Sequence, residues 1–411
     1  MTAEQRTSQL RALIERLYDR VPLYRERMEA LGIVPEDLRS PEDLRKFPFT
    51  VKQDLRDAYP YGLLACDRSD LARLHASSGT TGKPTVVGYT RKDLDLWAEA
   101  VKNCMETAGV GPRDIVQVTF GYGLFTGGLG IHDGAEALGA TVIPASGGFS
   151  ERQLLLMEDL GTTVIACTPS YALHLADLIE ARGLKLKLRL GIFGAEPWSE
   201  ALRKKIEERL GIRAIDIYGL SEVMGPGVAI ECPCQAGLHL QEDLFHAEIV
   251  DPETGLPLPD GEEGELVLTT LGKEGMPLLR YRTRDVTRIL PGTCACGREG
   301  TRLARIRGRS DDMLIIRGVN VYPSQIETAL GRVEGLSLHY LLEVSDKEGL
   351  KELTVCCEPL ETLDREGMAQ LTRRSQQELL ALLGVRVGFR LVEPGSLSRS
   401  EGKAARVRNV A

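Results

Sequence analysis

Apolar residues recur at helical spacing near the start of the chain, at Leu10, Leu13, Ile14 and Leu17, and prolines then interrupt the pattern. Residues 1–60 therefore predict helical segments in series. From about residue 70 the pattern changes. Short apolar runs, Ile115 to Phe120, Thr141 to Pro144, Val164 to Cys167, Leu190 to Phe193 and Ala214 to Tyr218, alternate with amphipathic stretches. That alternation predicts an α/β body with mostly parallel sheets covered by helices. Between 245 and 290 the runs AEIV, ELVLTTL and VTRIL are separated by the turn-rich PETGLPLPDGEEG, which predicts a small antiparallel or barrel-like β element. Beyond Ser310, strand-like LHYLLEVS and LTVCCEP alternate with helical MAQLTRRSQQELLALL, the pattern of a small α+β domain.

At 411 residues the chain exceeds the roughly 250–300 at which single cores stop growing, so more than one domain is expected. The break falls near Ser310, where RIRGRSDDM gives way to a new apolar strand, leaving a large domain, 1–309, and a small one, 310–411. The formal charge of −8 argues against nucleic acid as the main partner. MTAEQRTSQLRALIERLYDR has no apolar core of the kind a signal peptide needs. No apolar run reaches the roughly 18–20 residues of a membrane span, so a cytoplasmic protein with no membrane partner is expected. In a reducing compartment its nine cysteines are expected as thiols or metal ligands.

Candidate chemistry begins at SSGTTGKPT, Ser77 to Thr85. Glycines let such a loop approach a phosphate closely, while backbone N–H groups, hydroxyls and Lys83 supply donors to its oxygens. The Walker pattern is not met: Ser77 stands where glycine is required, and Pro84 replaces the Ser or Thr that would hold Mg²⁺. GYGLFTGG at 121–128 likewise misses GxGxxG, with Thr126 in place of the third glycine. Neither a P-loop NTPase nor a dinucleotide fold is indicated.

SSGTTGKPT, taken with YGLSE at 218–222, YRTRD at 281–285, GRSDDMLIIRGVNVYPSQIE at 308–327 and SEGK at 400–403, resembles the adenylate-forming superfamily. FGYGLFTGGLGIHDGAEALGATVIPASGG and IFGAEPWSE resemble its phenylacetate-coenzyme A ligase family, the aryl-CoA ligase branch. The resemblance runs from about residue 20 to the C-terminus. It implies a large N-terminal adenylation domain, a small mobile C-terminal lid, and a reaction in two steps. An aryl carboxylate attacks the α-phosphate of Mg·ATP to give acyl-adenylate and pyrophosphate, and the thiol of coenzyme A then displaces AMP.

By the same resemblance, Ser77, Ser78, Gly79, Thr80, Thr81, Gly82 and Lys83 hold the β- and γ-phosphates. Gly194, Ala195, Glu196 and Pro197, with Asp216, Ile217, Tyr218 and Gly219, match nucleotide-binding segments that enclose adenine in relatives. Glu222 matches a Mg²⁺ ligand, and one carboxylate suffices for an ion that keeps phosphate oxygens and water. Asp285 matches the acceptor of the ribose hydroxyls, with an ion pair to Arg282 or Arg284 as its alternative. Glu196 and Asp216 have purely structural roles as theirs. Arg309 matches a ribose or hinge contact and Asp311 the pivot of the lid. Lys403 matches the lysine that bridges carboxylate and α-phosphate, a point charge on a flexible stem.

Two aromatics among small residues, with no cation, suit a flat apolar ring lying against backbone. Tyr122, Phe125, Gly127, Gly128 and Ala195 are thus candidates to line an acyl pocket, with core packing as the alternative for each aromatic. His132 is open to two readings, a contact to a ring substituent or a satisfied structural histidine. Cys232 and Cys234 in ECPC, His239, and Cys294 and Cys296 in CACG offer five soft ligands for the four positions of a structural Zn²⁺. The expected set is Cys232, His239, Cys294 and Cys296, with Cys234 competing with Cys232. Zinc in some relatives adds support. The partners implied are an aryl acid, ATP and coenzyme A, and a homodimer is common among relatives. Two other readings stay open: the same core serving a carrier protein or adenylylating a deazaflavin coenzyme, and a non-catalytic aryl-acid or nucleotide-binding module.

Overall fold

The first helix, Ala3–Arg20, starts at a Thr2 capping box and buries Leu10, Leu13, Ile14 and Leu17, the four positions that its spacing places on one face. Val21 is extended, and Pro22 opens the next helix, Pro22–Leu31, where its missing N–H costs no hydrogen bond. The computed structural model describes residues 2–77, 84–310, 314–316, 319–347, 350–399 and 406–410. They fall into two compact units, one of 1–146, 163–166 and 215–306, the other of 147–162, 167–214 and 307–411.

In the first unit, the strand Ile115–Val118 pairs in parallel with both Thr141–Ile143 and Val164–Cys167. Every residue of the last is buried, as an uninterrupted apolar run requires of a strand covered on two faces. Downstream the pairing turns antiparallel, from Arg213–Leu220 to Gly225–Glu231 and on to Leu238–Leu240 and Arg302–Leu303. A separate antiparallel sheet of Phe245–Val250, Gly264–Thr270 and Tyr281–Thr287 forms where the turn-rich segment predicts one.

The second unit joins the helices Ser150–Leu160, Pro169–Arg182 and Glu200–Leu210 to the chain after Arg307. There a hairpin, Leu336–Lys347 with Leu350–Pro359, carries parallel edge strands, Val407–Asn409 on one side and Gly388–Leu391 on the other. The helix Arg365–Leu383 buries Leu371, Ser375, Leu379 and Leu383, a spacing of one helical turn. This is the predicted α/β body followed by an α+β region. No helix among the described residues is long and apolar enough to cross a membrane.

Candidate active site

Strand Arg213–Leu220 delivers Asp216, Ile217, Tyr218 and Gly219 to its carboxyl end, where α/β sheets place ligands. Tyr218 donates its hydroxyl to Asp285 Oδ2 at 2.5 Å, a charge-assisted bond that fixes a buried carboxylate. The Asp285 N–H donates to Thr283 Oγ1 at 3.0 Å, and Arg284 beside it has φ of 68°. Arg282 and Arg284 turn to buried Glu265, at 2.6 and 3.5 Å. Asp216 is buried, with the Arg305 guanidinium 3.8 Å from its Oδ2. Gly219 is required by space: a Cβ there would stand 2.0 Å from the Gly225 carbonyl oxygen.

Glu222 lies in the turn that follows. Its carboxylate is buried and faces Lys52, whose Nζ is 2.9 Å from Oε1. Sequence reading missed Lys52, a solitary lysine opening the short helix Lys52–Asp57 and carrying no periodic signal. The carbonyls of the turn are gripped from beneath. Tyr89 donates its hydroxyl to Met224 O at 2.7 Å, Lys273 donates to Val223 O at 2.8 Å, and Trp97 Nε1 donates to Pro226 O at 2.8 Å. Lys273 is itself fully buried, 4.5 Å from the centre of the Tyr89 ring, which stacks on Trp97.

The Gly121–Gly128 loop reaches the same turn, since Thr126 Oγ1 and Ser221 Oγ share a hydrogen bond of 2.8 Å. Phe125 keeps 44% of its surface exposed, so it is not a core residue. Gly128 sits against Gly121, whose carbonyl oxygen a Cβ would approach to 2.6 Å, and Gly127 begins the helix Gly127–Leu138. The hydroxyl of Tyr122 meets His132 Nδ1 at 3.1 Å, and His132 Nε2 meets Glu136 at 3.1 Å, so His132 is satisfied within the protein. Burial pushes the Tyr122 phenol well above its ordinary value. His75 Nδ1 and the Ala76 N–H both engage the Leu124 carbonyl, at 3.0 and 2.8 Å. They tie this loop to the strand Leu71–Ser77, at whose end the Ser77 hydroxyl is buried with no partner among the described residues.

In the second unit, Gly194–Pro197 follows the buried strand Leu190–Phe193, with Ala195 at φ 70°. Glu196 is buried, and its Oε1 accepts the Ser170 N–H at 2.7 Å, setting a carboxylate against the N-terminus of helix Pro169–Arg182. Arg309 lies in the short strand Gly308–Arg309. Ser78, Gly79, Thr80, Thr81, Gly82, Lys83, Asp311 and Lys403 lie outside the described residues.

The soft ligands converge. The ligand atoms of Cys232, His239, Cys294 and Cys296 all lie within 4.8 Å of one another, whereas Cys234 is exposed. A tetrahedral Zn²⁺ with Zn–S of about 2.3 Å and Zn–N of about 2.0 Å has S···S edges of about 3.8 Å and S···N edges of about 3.5 Å. Cys232 Sγ and Cys294 Sγ are 3.6 Å apart, and Cys296 Sγ and His239 Nε2 are 3.5 Å apart, so the donor set fits that ion. Burial, with Arg302 and Arg298, lowers the pKa of His239 and keeps the imidazole in its neutral, ligating form.

Residues 12–272 match the AMP-binding enzyme family and residues 318–410 the AMP-binding enzyme C-terminal domain, which makes the chain an adenylate-forming enzyme. Phenylacetate-coenzyme A ligase from Escherichia coli (strain K12) is 52% identical over 409 residues, covering 98% of this chain and 93% of that protein. The enzyme of the same name from Thermus thermophilus is 48% identical, over 96% and 93%. The chain belongs to the phenylacetate-coenzyme A ligase family and is an AMP-forming acid–thiol ligase. Among solved structures, 2-hydroxyisobutyryl-CoA ligase in complex with 2-HIB-AMP superposes with a TM-score of 0.94 at 28% identity, over 99% of this chain and 89% of that one.

Proposed function

We propose that this chain joins an aryl carboxylic acid, phenylacetate or a related arylacetate or benzoate, to coenzyme A at the expense of ATP. A carboxylate oxygen attacks the α-phosphorus, the bond to the bridging oxygen breaks, and pyrophosphate leaves. The sulfur of coenzyme A then attacks the acyl carbonyl and AMP departs, giving the thioester. In such chemistry the protein chiefly positions groups and neutralises developing charge. Asp285, oriented by Tyr218, takes the ribose hydroxyls. Ser77 to Lys83 hold the β- and γ-phosphates, Gly194 to Pro197 and Asp216 to Gly219 contact the nucleotide, and Arg309 serves the ribose or the hinge. Glu222 would hold the Mg²⁺ of Mg·ATP, an ion that neutralises triphosphate charge, and Lys52 balances this carboxylate beforehand. Lys403 bridges carboxylate and α-phosphate, carried on a lid of residues 310–411 that pivots at Asp311 against the adenylation domain of 1–309.

Tyr122, Phe125, Gly127, Gly128 and Ala195 line the acyl pocket, with the Tyr122–His132–Glu136 chain fixing its polar wall. Cys232, His239, Cys294 and Cys296 would hold a Zn²⁺ that braces the turns after Glu231 and Gly292. Such thiols suit a reducing cytoplasm, and a homodimer is the assembly that the family resemblance allows.

The observation that carries this reading is 52% identity to a phenylacetate-coenzyme A ligase over nearly the whole of both chains. It is tested by AMP release with Mg·ATP against phenylacetate, benzoate, hydroxybenzoates, aminobenzoates and short aliphatic acids, with and without coenzyme A. Turnover that requires an aryl acid and coenzyme A bears it out. Acyl-adenylate that coenzyme A cannot discharge points to a carrier protein or deazaflavin acceptor. ATP binding with no AMP from any acid leaves a non-catalytic binder.

A further inference from the structure

On either side of Lys403 in the sequence, Arg399 and Arg406 each pair with a buried glutamate. On the near side Arg399 grips Glu358 through both guanidinium nitrogens, at 2.9 and 2.7 Å, and Glu358 also accepts the Leu397 N–H at 2.7 Å. On the far side Arg406 Nη2 lies 3.1 Å from Glu327 Oε2, with its guanidinium 4.3 Å over the Tyr340 ring. The Arg406 carbonyl accepts the Leu342 N–H at 2.7 Å, so backbone and side chain are both fixed.

The two tethers differ in what lies behind them. Glu358 belongs to the hairpin strand Leu350–Pro359, in the same C-terminal sheet as Val407–Asn409. Glu327, on the helix Pro323–Gly331, also accepts the Ser199 N–H at 2.7 Å through its other oxygen, and the Glu196 carboxylate lies within electrostatic reach of Arg406. Arg406 is thereby tied to the stretch from Gly194 to Ser199 that follows the buried strand Leu190–Phe193. It stands three positions after Lys403, and an extended chain covers at most about 11 Å in that distance. A planar fork stacked on a ring and paired with a carboxylate holds a backbone point in a way that a flexible ammonium does not.

We propose that Arg406 is a positioning residue for the adenylation half-reaction: it fixes the chain three positions after Lys403 to Glu327, and through Glu327 to the backbone at Ser199. This rests on the reading that Lys403 bridges carboxylate and α-phosphate. Arg406 touches no substrate in this scheme. Its loss removes that anchor and leaves coenzyme A attack on a finished acyl-adenylate untouched.

The test measures two rates in Arg406→Met, Arg406→Lys, Glu327→Gln, Arg406→Met with Glu327→Gln, and Lys403→Ala: pyrophosphate release without coenzyme A, and thioester formation from supplied phenylacetyl-adenylate. Arg406→Met is expected to lose about 100-fold in the first, the cost of misplacing a group by about 1 Å, and to stay within about threefold in the second. The double variant is expected to be no slower than Arg406→Met alone, because both changes cut one link. Should Arg406→Met fail to fold, Arg406→Lys decides, with a loss of about tenfold expected in pyrophosphate release alone. Equal loss in both rates, or unimpaired pyrophosphate release while Lys403→Ala is inactive, overturns the positioning role and leaves the reading of Lys403 standing. An active Lys403→Ala overturns that reading itself.

Discussion

Lys273 offers the sharpest internal check on how the Glu222 turn is held. Its ammonium donates to Val223 O, the one hydrogen bond it makes among the described residues, with the Tyr89 ring beneath and the Asp93 carboxylate acting at longer range. Burial lowers its pKa from 10.5 to about 8, against a smaller opposing pull from Asp93. Below pH 8 the lysine is protonated in both folded and unfolded chains, and the penalty for burying the charge is felt in full. As pH rises from 8 toward 10.5 the folded protein sheds this proton first, so stability is gained. At about 1.4 kcal/mol for each tenfold change in proton affinity, the gain is about 3 kcal/mol. Lys273→Met has no such titration, and groups common to both proteins cancel in the difference. Urea unfolding at several pH values is read from Trp97, which stacks on Tyr89 at 5.3 Å, in a Trp198→Phe background that removes the other of the two tryptophans. The wild type is expected to gain about 3 kcal/mol on Lys273→Met between pH 8 and 10.5. Curves that run parallel across this range would refute an ammonium buried under the turn.

Protein purified without chelators is expected to carry about one zinc per chain, lost in Cys294→Ser and Cys232→Ser but kept in Cys234→Ser; elemental analysis decides, and loss in Cys234→Ser would reassign the ligand. Asp285→Asn is expected to raise the KM for ATP by about 10- to 100-fold, the worth of charge-assisted hydrogen bonds, and Tyr218→Phe by about three- to tenfold. A KM within twofold of wild type for Asp285→Asn would remove it from the ribose. Gly219→Ala places a methyl 2.0 Å from the Gly225 carbonyl oxygen and 2.7 Å from Pro226 Cα, both backbone. Thermal unfolding is expected to show a loss of about 1–3 kcal/mol, and an unchanged midpoint would mean that the strand shifts freely.

The parts of this protein that could be read along the chain are those whose cause is local. Val164–Cys167 and Leu190–Phe193 are four-residue apolar runs, and in each all four residues are buried, because a strand covered on both faces has no polar side to show. Leu10, Leu13, Ile14 and Leu17 became one buried stripe because 3.6 residues make a turn. What holds the site is of another kind. Lys52 meets Glu222 across 170 positions, Lys273 meets Val223 across 50, and Arg406 meets Glu327 across 79. None of these contacts has a period, and the three cations were indistinguishable by composition from solvent-facing ones. The cysteines mark the boundary between the two cases. A C-x-C pair announces soft ligands, yet the spacing says nothing of which thiol turns inward. That choice is made where strand Gly225–Glu231 ends, with Cys232 still buried and Cys234 already out in the turn. Periodicity therefore specifies the body on which the chemistry is mounted, and the motifs name its reacting groups. The residues that aim those groups are fixed only when distant segments meet, so in this chain Lys52, Lys273 and Arg406 are where structure adds most to sequence.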